Sequence, residues 1–399
     1  MKVVSGMKSV VSIVQQKGAG SPARYSVHNL EVVKKMICKA VELIGGFGQI
    51  ISKGDTVFIK ANVVTGQPPE SAVCTDPRVL EALVGILLKE GCGRVCVGEG
   101  ASVDVTYARD AFRDTGLDKA VKRAGGEVVY LDEEPYVEID IPDGRVFKKL
   151  SLPKIIRDSD VYISVPKMKT HLMTLVTLGI KNSQGIISRE DKALFHREDF
   201  HLKMIDVLKA AKPHLVLIDG LLAGEGLGPI YPNPVEMNLI IASTDVVAAD
   251  AVASAVMGID PFEVATTRLA HSDRIGTGDL NSIEVRGKSI EEIRRYFQRP
   301  KWNPVGCSPN AIVYPGGACR FCLAQISAAL ERLRFYGLLD KMNKTLIITG
   351  VDPPVPDELD GKIVVVGDCA KKYANLGVFV SGCPPLPHMT VSKALGYDI

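Results

Sequence analysis

Short apolar runs alternate with helix-like segments along most of this chain, and this alternation restricts its fold more than any other feature. Strand-like runs such as Thr56–Lys60 and Arg94–Glu99 are separated by segments with a helical pattern, such as the one that begins at Thr75-Asp76-Pro77. Proline in the first turn is typical of a helix start. Strands that alternate with helices favour βαβ units. The sequence therefore predicts an α/β fold with a mostly parallel sheet.

Two segments interrupt this pattern. Residues 136–150 alternate apolar and polar side chains around a Pro-Asp-Gly turn, which predicts a β-hairpin that leaves the main sheet. Residues 298–318 are rich in proline and glycine and are predicted to form a linker. The linker would divide the chain into a main α/β domain, residues 1–297, and a smaller C-terminal α/β domain, residues 319–399.

The composition argues against several classes of partner. The chain has 48 basic and 46 acidic residues, and its formal net charge of +2 gives no electrostatic case for nucleic acid binding. No apolar run is long enough to span a membrane, and the first residues lack the apolar core of a signal peptide. We expect a cytoplasmic protein whose nine cysteines stay reduced. The sequence leaves the oligomeric state open.

Four cysteines near the C-terminus have the spacing of a metal or cluster site. Cys319 and Cys322 form a C-x-x-C pair, and Cys369 and Cys383 each follow a short apolar run that is predicted to be a strand. If these strands are parallel neighbours, their ends lie on one edge of the sheet, where open α/β sheets bind ligands. Four thiolates suit an iron–sulfur cluster, predicted here as 4Fe-4S, or a zinc ion. Structural zinc sites often carry two C-x-x-C pairs, so the single pair favours a cluster.

The remaining cysteines are assigned smaller roles. Cys307, within the predicted linker, is either a candidate substitute for one of the four ligands or a fifth nearby thiol. Cys38, Cys92 and Cys96 lie in apolar runs and are expected to be small buried hydrophobic residues. The role of Cys74 is left open.

Polar residues concentrate just after the predicted strand that ends at Pro166. Lys167, Lys169, His171 and Lys181 are four potential cations within fifteen residues, and Asn182 follows them. At the end of a strand they can face a carboxylate or a phosphate. The alternative is a solvated loop with ordinary surface lysines. No Walker-type glycine-rich sequence accompanies the group, so the sequence predicts a cleft for an anionic small molecule or cofactor and only weakly a nucleotide.

Other strand ends supply further candidates for this cleft. Lys60 and Asn62 follow the second predicted strand and are expected to bind the ligand. Asp250 lies among alanines on a predicted helix, and a buried aspartate needs a partner, for which Lys60, Lys167 and Lys181 are the candidates. Together with Lys169 and His171, Asp250 is a candidate catalytic residue.

Two further features have both a functional and an ordinary interpretation. Glu225 lies in the glycine-rich stretch 224–229, which is predicted to be a loop, and is either a functional carboxylate or an exposed loop residue. His196 and His201 are five residues apart and would sit poorly on one helical face, so surface or loop roles are favoured over metal binding.

The main domain carries several motifs: Val-Pro-Lys-Met-Lys-Thr-His at 165–171, Ile-Lys-Asn-Ser-Gln-Gly at 180–185, and the segments 58–62, 75–77, 241–250 and 257–261. Together they resemble a family known as domain of unknown function 362, over residues of about 55–290. Its members often carry an iron–sulfur module, commonly ferredoxin-like, so the resemblance implies a cluster. This chain lacks the C-x-x-C-x-x-C run of ferredoxins. Its Ser-Gly-Cys-Pro-Pro at 381–385 is instead similar to a segment in the cluster-bearing small subunits of hydrogenases and related quinone oxidoreductases.

Three functions are compatible with these features. The first is an iron–sulfur protein with a redox role, which would exchange electrons with its anionic ligand and with an electron-transfer protein. The second is an isomerase or lyase in which a metal or cluster acts as Lewis acid and His171 or Lys169 acts as base. The third is a non-catalytic binding protein stabilised by zinc.

Overall fold

The computed structural model describes residues 8–16, 29–102, 107–188, 191–192, 195 and 199–398. The chain divides into two compact units. We call Met1–Lys192 with Asp199–Gln298 the main unit, and Ala193–Glu198 with Arg299–Ile399 the C-terminal unit.

The main unit is built on a ten-stranded sheet and a separate two-stranded sheet in the described part of the chain. Its strands are β1 Ser9–Gln15, β2 Thr56–Ala61, β3 Arg94–Glu99, β4 Glu127–Tyr130, β5 Tyr136–Asp140, β6 Lys149–Pro153, β7 Val161–Val165, β8 Lys167–His171, β9 Leu175–Thr177, β10 Leu215–Leu227, β11 Tyr231–Ser243 and β12 Ile283–Gly287. Its α-helices are α1 Leu30–Leu43, α2 Pro77–Lys89, α3 Ala108–Thr115, α4 Leu117–Arg123, α5 Lys154–Asp158, α6 Gly179–Asn182, α7 Phe200–Ala210, α8 Val246–Val256, α9 Ala265–Ser272 and α10 Ile290–Ile293.

The large sheet is mostly parallel, as the alternation of strands and helices predicts. Its order is β12–β1–β11–β10–β7–β2–β3–β4, with β8 beside β10 and β9 beside β8. Strands β10, β7, β2, β3 and β4 run in the same direction, and β11 runs against its neighbours β10 and β1. The protein therefore has the predicted α/β fold.

The chain reverses its direction of travel across the sheet at β2. From β2 it moves outward to β3 and then β4, and it returns to the other side of β2 to form β7. The gap between the carboxyl ends of β2 and β7 is therefore a topological switch point, and open α/β sheets bind ligands in the crevice at such points.

Helix α2 shows why these residues form this layer. The Asp76 side chain accepts a hydrogen bond from the Arg78 amide, and Pro77 occupies the first turn. The buried side chains of α2 recur at helical spacing and belong to one hydrophobic cluster with residues of β2 and β7, in which Leu80 and Leu83 join Ile59. Burying each leucine contributes about 1.5–3 kcal/mol.

Two hairpins bear on the sequence predictions. Strands β5 and β6 pair antiparallel as a hairpin apart from the main sheet, but the second strand, Lys149–Pro153, begins near the end of the predicted segment 136–150. The stretch 224–229 was predicted to be a loop, and this prediction is wrong, because β10 continues to Leu227 and Glu225 pairs with Asn233 of β11. Gly224 permits this pairing, since a Cβ there would lie 2.8 Å from the Pro232 ring.

The C-terminal unit contains a four-stranded parallel sheet in the order of the sequence. Its first strand lies inside the segment 298–318, so the predicted linker is part of this unit. Leu330 and Leu333 of its long helix pack against Ile347 and Val364 of the sheet. The elements are β13 Ala311–Tyr314, α11 Arg320–Phe335, β14 Thr345–Thr349, β15 Lys362–Val366, β16 Val378–Val380 and α12 His388–Ala394.

The structure also bears on membrane association. Among the described residues, no helix is both long enough and apolar enough to cross a bilayer.

Candidate functional site

Buried lysines gather at the switch point of the main sheet. Lys60 is on β2, and Lys167 and Lys169 are on β8, which directly follows β7. None of these three side chains has any exposed surface, so the solvated-loop interpretation does not hold for them. A buried ammonium group is costly unless it is paired, so the partners of each lysine decide its role.

Lys60 is paired with Glu99 at the carboxyl end of β3. Its Nζ lies 2.5 Å from Glu99 Oε2 and 2.6 Å from the Ala61 carbonyl oxygen. The Glu99 carboxylate also accepts from the amides of Val63 and Gly100, at 3.1 and 3.0 Å. Burial lowers the pKa of Lys60, and Glu99 opposes that shift. The pair therefore joins β2 to β3, and Lys60 is committed to a structural contact.

A glycine is required beside this ion pair. A Cβ on Gly185 would lie 1.8 Å from Glu99 Oε1 and 2.5 Å from Lys60 Nζ. The polypeptide after α6 can approach the two charges this closely only without a side chain.

Lys167 is paired with Asp219 of β10. The Nζ to Oδ2 distance is 2.9 Å, and both side chains are fully buried. Asp219 also accepts from the amides of Asp76 and Leu221, at 2.8 and 3.1 Å. The carboxylate therefore fastens β10 to the start of α2, and Lys167 neutralises it.

Lys169 has a different environment. Its Nζ donates to the carbonyl oxygens of Val73 and Pro229, the latter at 3.2 Å. No carboxylate of the described residues lies within ion-pair distance of it. Burial lowers the pKa of Lys169 to about 7, and Lys167 acts in the same direction.

Lys181, on α6, also lacks a carboxylate partner in the part of the chain that the structure describes. Its Nζ donates to Gln184 Oε1 and lies 5.9 Å from the centroid of the Phe200 ring. Burial lowers the pKa of Lys181 to about 7, and repulsion by the Lys169 ammonium is the next cause. The two lysines are therefore within electrostatic reach of each other.

Asp250 anchors α6 through its carboxylate. Its Oδ1 accepts from the Gly179 amide at 2.7 Å and its Oδ2 from the Ile180 amide at 2.9 Å. The predicted pairing of Asp250 with Lys60, Lys167 or Lys181 is therefore wrong, because backbone amides satisfy the carboxylate. Burial raises the pKa of Asp250 to about 7. Its position favours a structural role in holding Lys181.

His171 is held by the turn after β8. Its Nδ1 accepts a hydrogen bond from the Met173 amide at 3.0 Å. The neutral ring therefore carries its hydrogen on Nε2, which makes it a hydrogen-bond donor. This geometry disfavours the predicted role of general base.

Two asparagines at the switch point differ in the hydrogen bonds that their side chains make. Asn182 Nδ2 donates to the Lys60 carbonyl and to Ser164 Oγ, at 3.2 and 3.0 Å, which joins α6 to β2 and β7. Asn62 exchanges hydrogen bonds with Thr75 through its backbone, at 2.9 Å each. The Asn62 side chain is buried, and its Oδ1 has no hydrogen-bond partner in the described structure.

The remaining candidates of the main unit have other surroundings. Glu225 accepts from the Gln298 amide at 2.9 Å and lies 3.5 Å from Arg295, so its observed role is to hold the end of the main unit. His201 is on α7 and packs edge-on against Phe200 at 5.5 Å. His196 lies outside the described residues.

The sequence reasoning missed Lys192. This lysine is buried, and its Nζ donates to the carbonyl oxygens of Ala101 and Gly185, at 2.9 and 3.3 Å. It lies in a polar stretch with no strand or helix pattern, so nothing in the sequence indicates its burial. The site is thus more strongly cationic than predicted.

The part of the chain that forms this site matches a known protein family. A family model described as domain of unknown function (DUF362) matches residues 57–255. This span holds β2, β3, β7, β8, α6 and α8, and with them the lysines and Asp250. The chain belongs to the DUF362 family. The resemblance inferred from the motifs is therefore confirmed for residues 57–255.

The chain is similar to a curated relative in its sequence and, more weakly, to two solved structures. The thylakoid-associated protein sll1697 of Synechocystis sp. strain PCC 6803 is 31% identical over 242 residues, which cover 59% of this chain and 73% of that protein. Among solved structures, a Thermotoga maritima protein is 13% identical with a TM-score of 0.39 and covers 82% of this chain and 73% of its own. The lactate racemase apoprotein of Thermoanaerobacterium thermosaccharolyticum is 12% identical with a TM-score of 0.40, covering 98% and 90%. Structural similarity this weak says nothing about substrate.

The four cysteines lie outside the DUF362 match, in the C-terminal unit. Strands β15 and β16 are parallel neighbours, so the condition for a shared sheet edge is met. The loops after them are also joined, because the Asp368 amide donates to the Gly382 carbonyl at 3.0 Å and the Gly382 amide to Asp368 Oδ1 at 2.7 Å. Cys369 and Cys383, one residue beyond each of these, therefore lie at one edge of the sheet.

Cys319 and Cys322 occupy the start of α11. A hydrogen bond between their side chains lowers the pKa of the Cys319 thiol to about 5 and raises the pKa of the Cys322 thiol. Cys383 and Cys369 raise the pKa of Cys322 further, so all four thiols share one electrostatic neighbourhood. A Cβ on Gly367, just after β15, would lie only 2.9 Å from Cys322 Sγ.

The donor set fits a thiolate-bound cofactor in its chemistry and its clustering. Within the described ranges, however, no three histidine, cysteine, aspartate or glutamate side chains are already arranged to hold a metal ion. Cys307 stands apart, because it packs against the hydrophobic core of the C-terminal unit and burial raises the pKa of its thiol.

Proposed function

We propose that the DUF362 domain binds a small anionic molecule or cofactor in the cleft between the carboxyl ends of β2 and β7. The observation that supports this most is the pair Lys169 and Lys181. Both are held at the switch point of the sheet, and neither has a carboxylate partner among the described residues. Lys60 and Lys167 are each balanced by an acidic side chain, so the uncompensated charge belongs to the other two.

The electrostatics of this pair favour an anionic ligand. Burial brings the pKa of each lysine down to about 7, with repulsion by Lys167 adding to the shift at Lys169 and repulsion by Lys169 adding to the shift at Lys181. An anion placed between them would favour the charged form of both and supply the missing counterion. Binding and protonation would then be coupled.

Binding of acetate and of inorganic phosphate, measured by calorimetry, tests this proposal. Lys169→Met and Lys181→Met should each weaken binding by about tenfold or more, because a charge-assisted hydrogen bond is lost. Lys119→Met is the matched control, since Lys119 is exposed on α4, and it should bind like the unmodified protein. Equal affinity in all four proteins would show that the pair does not bind the anion.

For the C-terminal unit we propose an iron–sulfur cluster, of the 4Fe-4S type, on Cys319, Cys322, Cys369 and Cys383. The shared electrostatic neighbourhood of these thiols supports the proposal. Such a cluster would supply a one-electron redox centre. The protein would then serve a redox role, with the bound anion and an electron-transfer protein as the partners that exchange electrons. Zinc on the same thiolates is the alternative, which would make the unit a non-catalytic binding module.

Iron, sulfide and zinc quantified on protein purified without oxygen, together with its absorption spectrum, separate these alternatives. Iron and sulfide in equal amounts, with a visible absorption that dithionite bleaches, are expected for the cluster. Cys369→Ser should lose this absorption, whereas the matched Cys307→Ser should retain it. A colourless protein that contains zinc would contradict the redox role.

One observation favours a second function, an isomerase or lyase. A lysine with a pKa of about 7 is matched to proton transfer near neutral pH, and Lys169 and Lys181 both meet this condition. In that case Lys169 would take the role of base that the geometry of His171 disfavours. Exchange of a ligand C–H with solvent deuterium in the fully oxidised protein, lost in Lys169→Met, would distinguish this function from electron transfer.

A further inference from the structure

Asn62 places an unsatisfied acceptor at the switch point. Its side chain is 6% exposed, and its Oδ1 has no hydrogen-bond partner in the described structure. A buried carbonyl oxygen without a partner is costly, so native structures rarely leave one unless a ligand or a water completes it.

Asn62 adjoins the groups that form the proposed anion site. It lies two residues after Lys60, and the following amide, of Val63, donates to Glu99 at 3.1 Å. Its backbone is paired with Thr75, and Lys169 donates to the carbonyl of Val73, two residues before Thr75. Asn62 therefore borders the same crevice as Lys169.

A second polar group without a partner lies opposite Lys169. Thr177 is the cross-strand neighbour of Lys169 in the β8–β9 pair, and such neighbours point to the same side of a sheet. Thr177 is buried, and its Oγ1 also has no hydrogen-bond partner among the described residues. The hydroxyl can donate as well as accept, so it can contact either part of a ligand.

From this geometry we infer that the ligand is a hydroxylated small anion, with its anionic group on Lys169 and Lys181 and its hydroxyl donating to Asn62 Oδ1. The inference rests on the proposed anion site and narrows its ligand class. An ammonium group could also donate to Asn62. However, it would lie among cations, because Lys60, Lys169 and Lys192 are all within electrostatic reach of Lys181. A neutral hydroxyl donor avoids that repulsion.

Matched pairs of anions test this inference in the unmodified protein. The first pair is glycolate and acetate, and the second is glycerol 3-phosphate and propyl phosphate, so the two arms separate carboxylates from phosphates. In at least one pair the hydroxylated anion should bind at least about tenfold more tightly than its matched anion. Only the hydroxylated anion can donate a hydrogen bond to Asn62 Oδ1. Equal affinities within both pairs would overturn the inference but leave the anion site intact. Absence of binding by all four would overturn both.

The variant Asn62→Leu tests whether Asn62 causes the preference for hydroxylated anions. Asn62→Leu keeps a similar side-chain volume and removes the acceptor. In this variant the hydroxylated anion should bind about tenfold more weakly than it binds the unmodified protein. The affinity of the matched anion without a hydroxyl should stay the same. Persistence of the preference in a folded Asn62→Leu protein, checked by circular dichroism, would contradict the role of Asn62. If this variant does not fold, the comparison in the unmodified protein still decides the ligand class.

Discussion

Lys167 Nζ lies 2.9 Å from Asp219 Oδ2, and neither side chain has any exposed surface. Lys169, two residues along the same strand, is equally buried but has only carbonyl oxygens as observed partners. This contrast distinguishes Lys167, whose ion pair holds the fold together, from Lys169, which we propose binds the ligand.

The first prediction uses this contrast. Lys167→Met should lower the free energy of unfolding by about 3–5 kcal/mol, because it leaves the buried Asp219 carboxylate without its cation. Lys169→Met removes a buried charge that has no counterion, so it should cost much less or stabilise the protein. Urea denaturation of both variants measures the difference. Equal losses would mean that Lys169 also holds the fold together.

The second prediction concerns pH. The pKa of Lys169 and of Lys181 is about 7 in the folded chain, against 10.5 for an unperturbed lysine. Between these values the unfolded chain binds more protons, so the free energy of unfolding should rise with pH across this window. Below pH 7 both states are protonated and the full penalty remains. Lys169→Met should reduce the slope, measured by denaturation at a series of pH values, whereas Lys119→Met should leave it unchanged.

The third prediction links anion binding to proton uptake. At about pH 8.5 both amines are mostly neutral in the free protein, and a bound anion should raise their pKa. Each binding event should therefore take up protons from the buffer, between zero and two in number. Calorimetry of phosphate binding in buffers of different ionisation enthalpy measures this number. An uptake that persists in the double variant Lys169→Met/Lys181→Met would assign the protons to other groups.

The fourth prediction tests the packing around Lys60 and Glu99. Gly185→Ala should destabilise the protein by about 1–3 kcal/mol, because the new methyl group would overlap the ion pair. Gly85, in the middle of α2, is the matched control, since a Cβ there meets nothing within 4 Å. Gly85→Ala should instead stabilise by about 0.5–1 kcal/mol through better helix propensity. Thermal unfolding of both variants distinguishes the two effects.

The local order of apolar and polar residues predicts much of the fold. Strand β3 begins and ends at the predicted residues, because a β-branched run bounded by polar residues has few other solutions. The first part of β11, residues 231–236, is not predicted as strand from the sequence, because Pro232 and Pro234 argue against a strand. They are tolerated there because this part pairs only with β10.

The candidate site was less accessible from the sequence, because its contacts join residues far apart in the chain. The sequence indicates that Lys60 and Glu99 each end a strand, but it does not show that their charges pair or that Gly185, after α6, lies against them. For Asp250 the sequence shows a buried charge and suggests a lysine partner. The actual partners are the amides of Gly179 and Ile180, and backbone amides leave no signature in the sequence.

The contact of Gly185 with the Lys60–Glu99 pair has an evolutionary consequence. Three positions that are distant in the sequence share one small volume, so a change at one of them should destabilise the protein unless the others change with it. A homologue that carries a side chain at the position of Gly185 should have a shorter residue at the position of Glu99, and with it an uncharged residue in place of Lys60. The three positions should therefore vary together or remain fixed together across the family.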